Sequence, residues 1–380
     1  MVENNKFGAN LIKNMEKYLE LSKKYNIHVD EIIQIDLNRC GVYLKNGEVK
    51  EDFRVRFKGK ILNDYETWYA LPVRSKDDTP FAVYDGGIYF YDQKIGISKD
   101  LTLDTCESSY QRGPNLLNLN SRSRSNCGGC TACVHNYHNL YDSTVLKDKK
   151  QIITKEDINS FFDNKSIDVS KLVQIAVVTG LFKNEAEIVE HLGLINEVAK
   201  GRGFNGELMY FGCQVNSDSA LKELSELGDF SLIYALDNFT KRELLLSKTK
   251  SLITLEYAKD TLLRAKNNNI KTSIAYISGI DSLKKMIEGF KFIKDSLTSF
   301  PIINIYQIQT LKQAEILDQN AKNLDFYLDS RIALEEIFKD DNYRPKRWEN
   351  YRPLWYKYFA GEKLPNNAYG QLEKIKIKKK

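Results

Sequence analysis

The period of the apolar positions changes along the chain, and each change marks a new kind of element. Between about residues 8 and 26, Leu11, Ile12, Met15, Tyr18, Leu19 and Leu21 recur at the spacing of one helical face. From about 28 to 105 the repeat shortens to runs rich in β-branched and aromatic residues: EIIQIDL, GVYLKNGEV, FRVRFKGKIL, YETWYALPV and FAVYDGGIYFYDQKIGI. Asn46-Gly47 and Asp85-Gly86-Gly87 lie between such runs, where hairpin turns require positive φ. These runs predict a small, mainly antiparallel β domain whose tyrosines serve as cross-strand packing pairs.

Near residue 172 the pattern changes again. LVQIAVVTG is an almost unbroken apolar run, as expected for a strand buried on both faces. EAEIVEHLGLINEVAKGRG follows, with Ile188, Leu192, Ile195 and Val198 at helical spacing and Gly201 and Gly203 near its end. ELMYFGCQV, FSLIYALDN, IKTSIAYISG and PIINIYQIQ repeat the strand pattern. Between them stand helical SALKELSELG, a long helical stretch from about Lys241 to Asn267, and DSLKKMIEGFKFIKDSL. With LLNLN as a first strand, six strands alternate with helices, which specifies a parallel sheet with right-handed crossovers. The predicted fold is α/β, a partial (β/α)6 TIM-like barrel over residues 111–330. A helix and a small β-rich accessory domain precede it over 1–110. An aromatic and basic extension over 331–380 closes the barrel and ends in a Lys-rich tail.

Composition narrows the setting. The chain of 380 residues accommodates two domains, or one barrel with an extension. It has no run of 18 apolar residues, and its polar, amphipathic start lacks an apolar signal core, which predicts a cytoplasmic protein without a membrane partner. The net charge of +5 is modest, and part of it sits in the final KIKIKKK, read as a solvated end.

Six cysteines are present, and Cys127, Cys130 and Cys133 crowd into a Gly/Ser/Asn-rich loop directly after the first barrel strand. A helix would point them at different faces and a strand would alternate them, whereas a loop around a metal brings three thiolates to one centre. Crowding of this kind fits a reducing compartment and metal binding better than a disulfide framework. Soft thiolates select iron–sulfur clusters, zinc or copper(I). A structural zinc takes a fourth protein ligand, which His135, His138 or Cys106 would supply. An iron–sulfur cluster on three cysteines leaves one iron open, and the two-residue gaps serve either metal. His135 and His138 either donate hydrogen bonds to such a centre or face solvent. Cys213, at the end of the third strand, reads as a small buried residue, with a substrate-facing thiol as the alternative. Cys40 and Cys106 are too isolated to build a second centre.

The order of these elements resembles the radical S-adenosylmethionine (SAM) superfamily over roughly residues 114–310. There a partial (β/α)6 barrel carries a three-cysteine loop after its first strand. The loop holds a four-iron four-sulfur (4Fe-4S) cluster whose open iron is chelated by SAM. The usual spacing is C-x3-C-x2-C, whereas this chain has C-x2-C-x2-C, and the aromatic before the third cysteine is Ala132. The resemblance implies Cys127, Cys130 and Cys133 as cluster ligands, with one 4Fe-4S cluster and SAM as cofactors. It implies an external one-electron reductant of flavodoxin or ferredoxin type. The expected reaction is reductive cleavage of SAM to a 5′-deoxyadenosyl radical, which abstracts hydrogen from a small-molecule, peptide or nucleoside substrate.

The same resemblance implies the SAM contacts. Thr179, Gly180 and Leu181 stand where many members carry Gly-Gly-Glu, without the acidic residue. Gln214 and Asn216 suit the methionyl carboxylate or ribose, and Asp237, beside Asn238, suits ribose hydroxyls. Ala275 to Ser282 resembles the segment G-x-I-x-G-x-x-E, with Ile277 on adenine and Gly279 permitting close backbone approach. Tyr306 to Gln309, including Gln307, would meet the adenine edge. Two other classes remain. One is a zinc-binding, non-radical barrel. The other is an RNA-binding or RNA-modifying protein using Arg344, Lys346, Arg347 and Arg352 interleaved with Trp348, Tyr351, Trp355 and Tyr356. For that stretch, closure of the barrel by Arg and Lys stems over aromatic faces is the preferred reading.

Overall fold

The computed structural model describes residues 15–45, 53–62, 64–104, 109–113, 115–123, 127, 129–131, 133 and 151–365. Asn46-Gly47, Cys106, Ala132, His135, His138, the Lys-rich tail and the start of the first helix lie outside them. The chain divides into two compact units: Met1–Asp104 with Ile277–Ile287 and Ile303–Lys380, and Thr105–Tyr276 with Glu288–Ile302.

In the first unit a helix over 15–25 leads to a second, Val29–Cys40. A six-stranded sheet follows, with strands β1 (Tyr43–Leu44), β2 (Arg54–Ile61), β3 (Thr67–Pro72), β4 (Phe81–Tyr84), β5 (Gly87–Phe90) and β6 (Gln93–Leu103) in the order β1-β4-β5-β6-β2-β3. Its pairings are antiparallel except β1 with β4. The β4–β5 turn places Asp85 and Gly86 at φ 47° and 66°, the two positive angles that a two-residue hairpin demands. Tyr84 and Tyr89 stack across this hairpin with ring centroids 3.9 Å apart, and Phe57 stacks on Tyr69 across β2–β3.

The run EIIQIDL, expected as a strand, is instead the middle of the helix Val29–Cys40. His28 caps its start, accepting from the Asp30 N–H, and Gly41 at φ 78° ends it. Every residue from Asp30 to Asn38 is buried, so Ile32, Ile33, Ile35 and Leu37 do not mark out one apolar face against an exposed one. The helical period resides in the polar stripe Glu31, Gln34 and Asn38. Each of the three is matched by a partner distant in sequence. Glu31 pairs with Arg331 at 3.0 Å, the Gln34 amide donates to Asp64 and accepts from the Tyr69 hydroxyl, and Asn38 donates to the Tyr356 hydroxyl. Tertiary burial thus overrides the local β-like pattern.

The barrel sheet is built from β7 (Tyr110–Gly113), β8 (Leu116–Leu119), β9 (Gln174–Val178), β10 (Glu207–Gly212), β11 (Phe230–Asp237), β12 (Lys271–Ser278) and β13 (Ile302–Ile305), in the order β13-β12-β11-β10-β9-β8-β7. Strands β8 to β12 are successive parallel neighbours, with Glu185–Gly201, Asp218–Ser225 and Leu255–Asn267 among the intervening helices. This is the α/β fold that the alternation predicts, a partial TIM-like barrel accompanied by a smaller β region. Two features differ from expectation. The antiparallel edge strand β7 has no apolar pattern to announce it. The stretch from Lys241 to Asn267 breaks into helices Arg242–Leu245, Lys248–Ser251 and Leu255–Asn267. Lys241 in the left-handed region starts the first of these, and the Thr254 side chain caps the third.

One face of the sheet carries Ala176, Met209, Ile233, Ala275 and Ile302 as a single cluster. On the other face Tyr276 packs against Phe239 and Phe290, with ring centroids 4.8 and 5.0 Å away. At the amino ends of the strands Glu207 accepts from the Gln174 amide and the Ser231 hydroxyl, both at 2.6 Å. That end reads as a polar floor serving stability, while in barrels of this kind chemistry belongs to the carboxyl ends. The outer edge of β13 is covered within its own unit. The Asn304 side-chain oxygen accepts from the backbone of Tyr351 and Arg352, and the Ile305 N–H donates to the Arg352 carbonyl.

Candidate functional site

The segment after β8 and the turn after β9 are tied together by backbone geometry. The Arg122 N–H donates to the Thr179 hydroxyl at 3.0 Å, and the Gly180 N–H donates to the Arg122 carbonyl at 3.0 Å. One residue further, the Leu181 N–H donates to the Cys127 sulfur at 3.3 Å. From the other side the Ser247 N–H donates to the Cys130 sulfur at 3.3 Å, and Thr131 donates through its N–H to the Leu245 carbonyl and through its hydroxyl to the Leu244 carbonyl. The break between Arg242–Leu245 and Lys248–Ser251 is what frees the Ser247 N–H to point at sulfur. Cys127, Cys130 and Cys133 are half-buried, and the Cys133 N–H donates back to the Cys130 carbonyl at 2.9 Å.

Backbone N–H groups aimed at sulfur stabilise thiolates and tune the potential of the metal they hold. In donor type and in this hydrogen bonding the cysteine loop fits a thiolate-bound metal centre. Among the described residues no three His, Cys, Asp or Glu side chains are gathered at metal-ligating distance.

Around this loop lie several of the expected contact residues. The Gln214 amide pairs with the backbone of Phe182 in both directions, at 3.0 and 2.9 Å. Asn216 donates to the Cys213 carbonyl at 3.1 Å and accepts from the Tyr234 hydroxyl at 2.6 Å. Gln214 and Asn216 therefore brace the strand ends. Asp237, at φ 68°, is ion-paired with Lys250. Burial alone would lower the Lys250 ammonium, but Asp237 and then Cys213 and Cys130 outweigh it and hold it above its ordinary value.

Next to Asp237, Asn238 is fully buried, and neither its side-chain oxygen nor its nitrogen has a protein partner. A buried amide of this kind at the carboxyl end of a barrel strand is a place for a bound polar group. Arg242, which sequence reasoning passed over inside a supposed long helix, donates to the carbonyls of Leu236, Asn238 and Lys250 at 2.7 to 3.0 Å and fixes this corner.

Ile277, Gly279 and Gln307 belong to the other unit. Ile277 is half-buried. Gly279 adopts φ 114°, and a Cβ there would stand 2.7 Å from the Tyr327 hydroxyl oxygen, so the fold itself requires glycine. The Gln307 amide donates to the carbonyls of Asn38 and Ala70 at 2.9 and 3.0 Å. The basic aromatic stretch is also engaged there. Arg344 pairs with Glu362, Lys346 with Glu349 and Arg347 with buried Asp64, while Trp348, Trp355 and Tyr356 are buried.

His191 supports the entry to the cysteine loop, its Nε2 lying 2.8 Å from the Ser121 hydroxyl at 3 % exposure. Burial pushes its imidazole from 6.5 down to about 4. The folded chain therefore resists a proton that the unfolded chain accepts. The contribution is present above pH 6.5 and is lost as pH falls toward 4, at most about 3 kcal/mol. His191→Gln is expected to flatten the fall of Tm across that window, and an unchanged slope would remove His191 as its source.

No helix among the described residues is long and apolar enough to cross a membrane. No protein-family model matches the sequence, and no curated protein matches it significantly. Among solved structures the chain is similar to coproporphyrinogen III oxidase (HemN) from Escherichia coli, a radical SAM enzyme, at 15 % identity and TM-score 0.36, over 60 % of this chain and 54 % of that one. A second is the FeFe-hydrogenase maturase HydG from Carboxydothermus hydrogenoformans, at 14 % and 0.39, over 70 % and 65 %. A third is Streptococcus suis SuiB, determined with S-adenosylmethionine bound, at 12 % and 0.38, over 60 % and 50 %. In each case the match spans less than two thirds of the other chain.

Proposed function

We propose that this chain is a radical SAM enzyme, with Cys127, Cys130 and Cys133 holding one 4Fe-4S cluster and SAM as its cosubstrate. The observation that carries the reading is the pair of backbone N–H groups, from Leu181 and Ser247, directed at the sulfurs of Cys127 and Cys130 beside the ends of parallel strands. Bound there, the cluster would supply the single electron that cleaves the SAM sulfonium, drawn from an external flavodoxin- or ferredoxin-like reductant.

The chain's own residues set the stage for that chemistry. The two N–H groups withdraw charge from sulfur and favour the reduced state. Half-burial of the three thiols limits water at the centre. The Asn238 amide offers one donor and one acceptor to a polar ligand edge, and the Asp237–Lys250 pair supplies fixed charges beside it. The substrate is a small molecule, peptide or nucleoside.

The test is anaerobic reconstitution followed by iron, sulfide and zinc analysis and EPR of the reduced protein. About four irons per chain and a signal altered by SAM are expected. One zinc, no iron and no response to SAM would replace this reading by the zinc-binding, non-radical one.

A further inference from the structure

Half of strand β6 has a neighbour on one side only. Strand β5 pairs with it from Gln93 to Ile97, and the Ser98 N–H donates to the Gly86 carbonyl at 2.9 Å. From Lys99 to Leu103 its ladder partner among the described residues is β2 alone. All five of these residues are exposed, Leu101 at 39 % and Leu103 at 38 %. Alternate residues of a strand turn their N–H and C=O away from the ladder partner. The stretch therefore presents open main-chain donors and acceptors along about 17 Å.

The same stretch borders a cavity of about 240 Å³. Lys99, Asp100 and Leu101 line it, together with Tyr84 and Asp85 at the β4–β5 turn and buried Leu44 and Val83. A register shift sets Asp100 and Leu101 together opposite Phe57, with Asp100 at φ 55°, which is a β-bulge.

The charges of the lining are matched, with one exception. Lys99 pairs with Glu66 at 3.3 Å and Asp100 with Lys58 at 3.4 Å. Lys45 is engaged on the Tyr84 ring, 4.7 Å from its centroid. Among the described residues no cation pairs with Asp85. A cavity of this size takes one side chain rather than a whole small ligand. Its leucine, valine and tyrosine surfaces suit an aliphatic stem, and the unpaired carboxylate suits a cation at the end of that stem.

We propose that the Lys99–Leu103 edge adds an extended peptide strand from a partner protein, which seats a Lys or Arg side chain in the cavity with its cation on Asp85. Main-chain bonds along the edge supply affinity, and the cavity supplies the choice of side chain. A second copy of this chain fits the edge less well, because the bulge interrupts the register that two identical strands would share. The proposal stands apart from whether the cysteine loop holds a metal.

Selection of a displayed random peptide library on the immobilised full chain tests it. Enriched peptides are expected to share one Lys or Arg flanked by β-branched residues. A synthetic copy is then followed by fluorescence anisotropy. N-methylation at every second peptide position is expected to abolish binding, and at the intervening positions to spare it, since one set of N–H groups faces the edge. Asp85→Asn keeps a residue suited to the turn. It is expected to weaken binding about fivefold and to remove most of its salt dependence.

No enrichment, or enriched peptides that tolerate N-methylation at every position, overturns the proposal. Alternating sensitivity with no effect of Asp85→Asn keeps the added strand and overturns its basic anchor. A full chain that sediments as a dimer, and that Leu101→Lys splits, assigns the edge to a second copy and overturns the peptide partner.

Discussion

Arg331→Met is expected to lower the unfolding free energy by about 3–5 kcal/mol. Arg331 is 2 % exposed and its carboxylate partner Glu31 is fully buried. The guanidinium donates to both Glu31 oxygens, to Glu335, and to the carbonyls of Leu354 and Tyr358, at 2.7 to 3.3 Å. Glu31 in turn accepts the backbone N–H groups of Tyr356 and Lys357 at 2.9 and 2.8 Å. Removing the cation strands a buried anion and two carbonyls, and methionine restores volume but no donor.

Urea unfolding followed by tryptophan fluorescence reads the effect locally, because the Trp355 indole donates to Glu335 at 2.9 Å. The double variant Glu31→Gln with Arg331→Met is expected to be less damaged than the sum of the singles, since the stranded charge is gone. The exposed pair Lys24–Asp325 is the contrast, and Lys24→Ala is expected to leave the midpoint in place. Equal small effects at both sites would refute the assignment of Arg331 as the tie of this unit.

The second large effect is chemical. Alanine at Cys127, Cys130 or Cys133 is expected to reduce iron uptake on reconstitution from about four irons per chain to less than one. Cys40→Ala is expected to load fully, because its sulfur lies against Asp36 in the other unit. Far-UV circular dichroism separates loss of the centre from loss of the fold. Three single variants that all retain full iron and sulfide would remove the loop as the cluster site.

How far these features are legible in the sequence depends on where their information lies. The parallel strands announce themselves because each is apolar on both faces, as Gln174–Val178 and Phe230–Asp237 are. The Asp85-Gly86 turn announces itself because few residues tolerate two positive φ angles. Helix Val29–Cys40 is hidden because its polar stripe is buried, so Glu31, Gln34 and Asn38 signal nothing until Arg331, Asp64 and Tyr356 are placed beside them.

The cysteines are visible as a cluster, but the N–H groups of Leu181 and Ser247 are backbone donors, which leave no mark in residue type. Arg242 is equally silent, since its acceptors are carbonyls. Asn238 is visible as a strand-end polar residue, but only the fold reveals that its amide is buried without a protein partner.

The ion pair between Glu31 and Arg331 also bears on synthesis. Its partners are 300 positions apart in the chain, and the unit they tie together is assembled from the first 104 residues and from segments that begin only at Ile277 and Ile303. On a ribosome, the opening helix and sheet emerge long before the residues that neutralise Glu31 and cap β13. The Thr105–Tyr276 portion, by contrast, is largely contiguous and gathers its strands as they appear. Nascent chains stalled before residue 331 should therefore protect the cysteine-bearing unit from protease while the amino-terminal one stays cleavable. A chaperone that shields exposed apolar strands would be needed most during that interval.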